Sequence, residues 1–273
     1  MRVQDFRVRL LFLVLAFLLS ACSPGRTGAP EAVLPEAEKE AAALPDIKEE
    51  EKEEQEEEKE EREEKRKTLT IACLGDSITC GIGTKEREKE SYPAVLESLF
   101  GDRADVLNLG WPNAMASEGR DYSYDTLPVY DTFLLVKADL YLIMLGTNDS
   151  IEGIWDPEAY RLGMEKYIRE CRNKNPEARI CILTPLMAYE KGGEVLAGIQ
   201  PVVIEEEIRP ILMELSRDLG TGLADCFSLS EDMKAELYDG VHPGAEGYAM
   251  LAEFIYEEIR EDMENLLREQ KQT

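Results

Sequence analysis

The sequence predicts an α/β domain from residue 68 onward, with a five-stranded parallel sheet covered by helices on both faces. Three observations carry this: five short, β-rich apolar runs, helical patterns between and after them, and small or polar residues where the runs end. The runs lie at 69–74, 104–109, 140–145, 179–184 and 222–227. Helical candidates lie at 92–100, 157–173, 202–219 and 245–268. Several open with proline or acidic residues, which suit a first turn because its N–H groups have no partner within the helix and favour negative charge. Alternation of strand and helix demands crossover connections, and so a parallel sheet with both faces covered.

In open sheets of this kind ligands gather at the carboxyl ends of the strands. The first run is followed by Gly75, Asp76 and Ser77, the second by Gly110, and the third by Gly146, Thr147, Asn148 and Asp149; the last loop carries Asp239 and His242. Small and polar residues thus converge on one rim.

A serine hydroxyl is a weak nucleophile until a neighbouring base takes its proton, and the base is usually oriented by a carboxylate. His242 is the only histidine in the chain, and Asp239 lies three residues before it in a Gly-flanked polar loop. An acyl-transfer site also needs fixed donors for developing negative charge. Three candidates sit on the predicted rim: the backbone N–H of Ser77, the backbone N–H of Gly110 and the side-chain amide of Asn148. Taken singly, each of these segments is also ordinary turn chemistry.

Taken together and in this order, Gly75-Asp76-Ser77-Ile78-Thr79, Asn108-Leu109-Gly110, Gly146-Thr147-Asn148-Asp149 and Asp239-Gly240-Val241-His242-Pro243 resemble the GDSL or SGNH hydrolase family over residues 68–267. The resemblance implies a flavodoxin-like three-layer α/β/α sandwich. It also implies Ser77 as nucleophile and first oxyanion donor, Gly110 and Asn148 as the other donors, and Asp239 with His242 completing the triad. No metal or organic cofactor is implied. Two departures stand out: Ile78 where the family often has Leu, and Trp111-Pro112-Asn113 after Gly110 in place of a small-residue run, which bears on the pocket beside the oxyanion hole. No G-x-S-x-G surrounds Ser77, which disfavours the nucleophile elbow of other α/β-hydrolases.

The flanks read differently. Residues 1–21 carry Arg2, Arg7 and Arg9 ahead of a short apolar run, the layout of an export signal. The following Leu19-Ser20-Ala21-Cys22 resembles a bacterial lipobox, which implies lipidation of Cys22 and anchorage to a cell membrane by acyl chains. Residues 22–67 then form an acidic, low-complexity linker without the apolar content to fold alone, leaving 68–273 as the hydrolase domain. The formal net charge of -26, from 57 acidic and 31 basic residues, argues against nucleic acid, whose phosphates are bound by clustered Lys and Arg. The cysteines have no zinc-site spacing; Cys73, Cys181 and Cys226 fall in or beside apolar runs, where a small buried hydrophobe is the commoner role.

For substrate, the segment around Asn148-Asp149-Ser150, Trp155, Tyr160 and Tyr167 resembles family members that remove acetyl groups from carbohydrates. Trp111, Tyr122, Tyr124 and Trp155 are placed in rim loops, where an aromatic face can stack on a sugar ring although packing is the commoner role for each taken alone, and Asp76, Trp111 and Trp155 are the candidates for substrate contact. A small acyl group on a carbohydrate is the expected substrate. A lysophospholipase, lipase or thioesterase is the alternative, and a catalytically silent surface binding module is the alternative of another class; acyl transfer uses the same residues as hydrolysis. The segment 186–200, with Gly192-Gly193 inside it, is expected to cover the pocket, and its polar first half favours a water-soluble substrate over a lipid.

Overall fold

The computed structural model describes residues 68–270. The expected signal segment, Cys22 and the acidic linker lie outside the described residues. Within them, β1 (Leu69–Gly75), β2 (Ala104–Gly110), β3 (Leu140–Met144), β4 (Arg179–Leu183) and β5 (Gly222–Ala224) form one parallel sheet in the order β2-β1-β3-β4-β5. This is the doubly wound order in which the chain first moves outward to one side of β1 and then crosses to the other. The switch point therefore lies between β1 and β3, where Gly75 pairs with Met144, and such crevices are where ligands bind.

Side chains alternate across the sheet, and the central strands β1 and β3 are buried on both faces. From β1, Ile71 and Cys73 enter one apolar layer and Ala72 and Leu74 the other. From β3, Leu140, Leu142 and Met144 join the first, while Tyr141 and Ile143 join the second. The first layer is closed by α2 (Tyr92–Phe100) and α6 (Ala245–Gln270); the second by α3 (Pro128–Leu135), α4 (Pro157–Lys174) and α5 (Arg209–Leu219), with the one-turn α1 (Ser77–Cys80) following β1 directly. Cys73, Cys181 and Cys226 are core residues, as expected, and burial pushes their thiols well above the usual range.

Three elements depart from the sequence expectation. The fifth strand ends at Ala224, not 227, because the Asp225 carboxylate accepts from Thr184 Oγ1 and the Arg209 guanidinium. Thr184 Oγ1 in turn accepts the Phe227 N–H at 2.8 Å, which turns the chain into the 3-10 segment Cys226–Leu229. The helix expected at 202–219 is interrupted by a π turn, Ile204–Ile208, just ahead of Pro210. A proline ring collides with the carbonyl four residues back in a regular helix, and widening the preceding turn relieves this. Helix α3 carries only a faint apolar periodicity in the sequence, because among its residues only Phe133 is buried.

One contact ties α4 to the loop that follows β2. A β-carbon at Gly163 would lie 1.8 Å from the Ala116 carbonyl oxygen, so the helix approaches that loop as closely as glycine allows. Propensity alone would make Gly163→Ala stabilising by about 1 kcal/mol. The clash is with backbone, so we expect instead a net loss of about 2 kcal/mol, seen as a melting temperature several degrees lower in thermal denaturation. A higher melting temperature would mean that the loop yields freely.

Candidate active site

Ser77 is the first residue of α1, immediately beyond the carboxyl end of β1. The turn is held by Asp76, whose Oδ1 accepts the Ile78 N–H at 2.9 Å, the usual service of an N-cap. The Thr79 and Tyr92 hydroxyls share a hydrogen bond behind it at 3.1 Å. The hydroxyl of Ser77 meets His242 Nε2 at 2.9 Å, and His242 Nδ1 meets Asp239 Oδ2 at 2.7 Å. An ionised carboxylate only accepts, so Nδ1 carries the proton and Nε2 presents a lone pair to the serine.

The Asp–His unit is built within its own loop. Asp239 Oδ1 accepts the backbone N–H of His242 at 2.8 Å and of Val241 at 3.0 Å. Partial burial raises the Asp239 carboxyl, but these hydrogen bonds and the imidazole outweigh it and hold the group below its ordinary value. The loop is pinned to the Ser77 side by Tyr248, whose hydroxyl donates to the Ile82 carbonyl at 2.7 Å.

A cavity of about 180 Å³ opens on Ser77 and His242, lined also by Asn113, Thr147, Asn148, Leu196, Ala197, Ile199 and Val241 among others. Asn148, at the end of β3, donates one amide hydrogen to the Ala114 carbonyl at 3.0 Å and keeps the other for a ligand. Asp149 stands beside it, fully buried, and its carboxylate accepts the Ala116 N–H, the Ser117 N–H and the Ser117 hydroxyl at 2.7–3.0 Å. Burial raises this carboxyl, and the three donors offset part of the cost. Together Asn148 and Asp149 fasten the loop after β2 to the end of β3.

That loop corrects the expectation for Gly110. Its N–H donates to Asn108 Oδ1 at 3.0 Å, and it is not among the residues lining the cavity. It is glycine because α1 packs onto it: a β-carbon there would lie 2.2 Å from the Cys80 nitrogen. The residue that this loop brings to the cavity is Asn113, at the third position of a β-turn closed by Ala114 N–H to Trp111 O at 3.1 Å. Its φ of 65° follows from that place, since a turn with proline second needs a left-handed third residue, Gly or Asn. The Asn113 N–H has no hydrogen-bond partner among the described residues. The Pro-Asn pair was the available signal in the sequence.

The candidates for substrate contact also change. Asp76 is fully buried and holds the turn at Ser77, out of reach of a ligand. Tyr124 is a core residue whose hydroxyl donates to the Leu109 carbonyl. Trp155 packs on Tyr160 and donates its indole N–H to Glu207 at 2.8 Å, and neither Trp155 nor the half-exposed Trp111 lines the cavity. In the covering segment the polar first half does not line the cavity either; Leu196, Ala197 and Ile199 from the second half do. The segment is tied down by Tyr189 N–H to Gly240 O and by Glu152 N–H to Gly198 O. Among the described residues no group of His, Cys, Asp and Glu is placed to hold a metal ion.

A model of the GDSL-like lipase/acylhydrolase family matches residues 73–250. The chain belongs to this family. It is similar to an acetylxylan esterase from Xylanibacter ruminicola, 30% identical over 211 residues, which are 70% of this chain and 43% of that protein. The chain thus spans less than half the length of that relative. Its fold is that of a carbohydrate acetylesterase family member from Sinorhizobium meliloti, with a TM-score of 0.58 at 22% identity, covering 72% of this chain and 99% of that one. The native aryl esterase of M. smegmatis is similar to the same degree, with a TM-score of 0.58 at 18% identity, covering 71% and 99%.

The buried Asp76 gives a test of how the nucleophile turn is held. Burial pushes its carboxyl from 3.8 up to about 6; the Ile78 N–H and the Thr147 hydroxyl, which stands short of hydrogen-bond geometry, offset only part of this. A raised value means the folded state binds the proton more tightly, so this contribution is intact below about pH 4 and disappears as pH rises through 6. Asp76→Asn removes it. From pH 4 to pH 7 the variant should gain on the native protein by up to about 3 kcal/mol in urea unfolding; parallel curves would show that Asp76 does not titrate in that range.

Proposed function

We propose that the protein removes a small acyl group, acetyl foremost, from a carbohydrate ester through an acyl-enzyme on Ser77. The observation that carries this is the Ser77–His242–Asp239 row opening on a cavity of about 180 Å³. That volume is below the roughly 300–1,000 Å³ of sites that enclose drug-sized ligands, and its apolar wall of Leu196, Ala197, Ile199 and Val241 suits a short acyl chain. The acetylxylan esterase relative supports acetyl on a carbohydrate.

In the first half-reaction His242 Nε2 takes the hydroxyl proton as Ser77 Oγ attacks the ester carbonyl. Negative charge builds on the carbonyl oxygen, and the Ser77 N–H, the free amide hydrogen of Asn148 and the Asn113 N–H receive it, Asn113 taking the part expected of Gly110. Collapse breaks the carbon–oxygen bond to the alcohol, which leaves with the proton from His242. Water, deprotonated by the same imidazole, then releases the acid and restores Ser77. Asp239 keeps the ring in the tautomer this requires.

Localisation belongs to the same reading: lipidated Cys22 anchors the chain outside the cytoplasm, and residues 22–67 space the domain from the bilayer. Cys22→Ser should move the protein from the membrane to the soluble fraction of the producing cell; unchanged membrane association removes the anchor.

Initial rates on p-nitrophenyl acetate, butyrate and octanoate and on an acetylated xylo-oligosaccharide test the chemistry. Ser77→Ala should lower kcat by about 10³-fold or more, and Asn148→Ala by about 10²-fold with KM little changed. Turnover should be greatest for acetyl donors. A rate that rises with chain length would replace this reading with a lipid ester or thioester, and the absence of Ser77-dependent turnover on every donor would end it.

A further inference from the structure

The cavity accounts for the acyl side of the ester; the alcohol side has no assigned partner. Its position follows from the chemistry. The imidazole that receives the Ser77 proton must deliver it to the departing oxygen, so the alcohol lies over the His242 side of the site, away from the wall formed by Leu196, Ala197 and Ile199.

Against the imidazole, outside the residues that line the acyl cavity, stands Tyr238. It is 52% exposed, unlike the six tyrosines that are fully buried in the core. Its ring lies nearly parallel to the His242 imidazole, with centroids 6.1 Å apart and planes 26° from each other. The position is fixed by backbone: the Tyr238 N–H donates to the His242 carbonyl at 3.0 Å, and Leu237 bridges Pro243. One ring edge rests against Gly83, where a β-carbon would come within 2.8 Å of Cε1. The ring is therefore held by the same loop that sets His242, and about half of its surface remains open to solvent.

We propose that Tyr238 is the platform on which a sugar ring of the alcohol stacks, making it a specificity-determining residue for the leaving group. The inference rests on the carbohydrate-ester reading above. Pyranose rings carry faces of C–H bonds that pack on aromatic surfaces, while their hydroxyls stay in water. An aromatic ring that is amphipathic and rigid supplies such a face at little cost in side-chain freedom. Placed beside the proton-delivering imidazole, it would hold the esterified hydroxyl at the site without contacting the acyl group.

The test compares Tyr238→Ala and Tyr238→Phe with the native full-length protein on an acetylated xylo-oligosaccharide and on ethyl acetate, whose alcohol has no ring. Tyr238→Ala should lower the ratio of kcat/KM for the oligosaccharide over that for ethyl acetate about tenfold, mainly through KM. Tyr238→Phe, which keeps the face, should preserve the ratio. Unacetylated xylo-oligosaccharide should inhibit ethyl acetate hydrolysis by the native protein and do so about tenfold more weakly in Tyr238→Ala. An unchanged ratio, whether both rates fall together or neither does, would overturn the proposal and leave Tyr238 as mere support for His242. Native protein that hydrolyses ethyl acetate and not the oligosaccharide would instead overturn the carbohydrate reading, and the stacking platform with it.

Discussion

The hydrogen bond between Ser77 Oγ and His242 Nε2 joins residues 165 positions apart in the chain, and it is the contact on which every chemical role in the site depends. Without it Ser77 is an ordinary alcohol on a helix turn and His242 an ordinary imidazole in a loop. The serine is set by the end of β1, a strand buried on both faces and bonded to two neighbours. The histidine is set by the loop between β5 and α6, and α6 docks on the same apolar layer that holds Ile78 of α1. The doubly wound sheet thus serves as a rigid ruler between two short segments that have no other reason to meet.

Two buried carboxylates do the fine positioning, and they do it differently. Asp149 is surrounded by donors, three of them from Ala116 and Ser117, so its charge is compensated and its removal would leave those donors unpaired. Asp76 has one backbone donor and a second oxygen with no hydrogen-bond partner, so its charge is the costlier of the two to hold. Both costs are met where the chain must stay in place against an incoming substrate: Asp76 at the nucleophile turn, Asp149 at the loop that carries Asn113. Active sites commonly hold groups in states that the rest of a fold would avoid.

What the sequence makes legible here is periodic or chemically singular. Apolar runs such as 140–145 announce a buried strand, and a lone histidine three residues after an aspartate announces a pair. The order of Ser77, Asn148, Asp239 and His242 is therefore legible in the sequence itself. What escaped was set by backbone geometry at single positions. Gly110 ends β2 and Asn113 lies three residues further on, and only the turn at Trp111-Pro112, with its left-handed third residue, decides that Asn113 faces the cavity while Gly110 faces α1. Asp76 reads as a polar rim residue, yet its side chain folds back onto its own turn. The aromatic residues divide for a related reason: Tyr124 and Trp155 have polar tips that find partners inside, whereas Tyr238 is set by the loop that positions His242.

The local construction of the Asp239–His242 pair has a consequence for folding. Its hydrogen bonds span two or three residues, so closing them costs little chain entropy, and the pair takes its shape with its own loop. Likewise the Ser77 turn is complete once β1 and α1 are formed. Each half is self-sufficient in geometry and inert in chemistry until α6 seats and Tyr248 reaches the Ile82 carbonyl. The paired site therefore depends on that long-range docking, because neither local fragment contains the contact between Ser77 and His242.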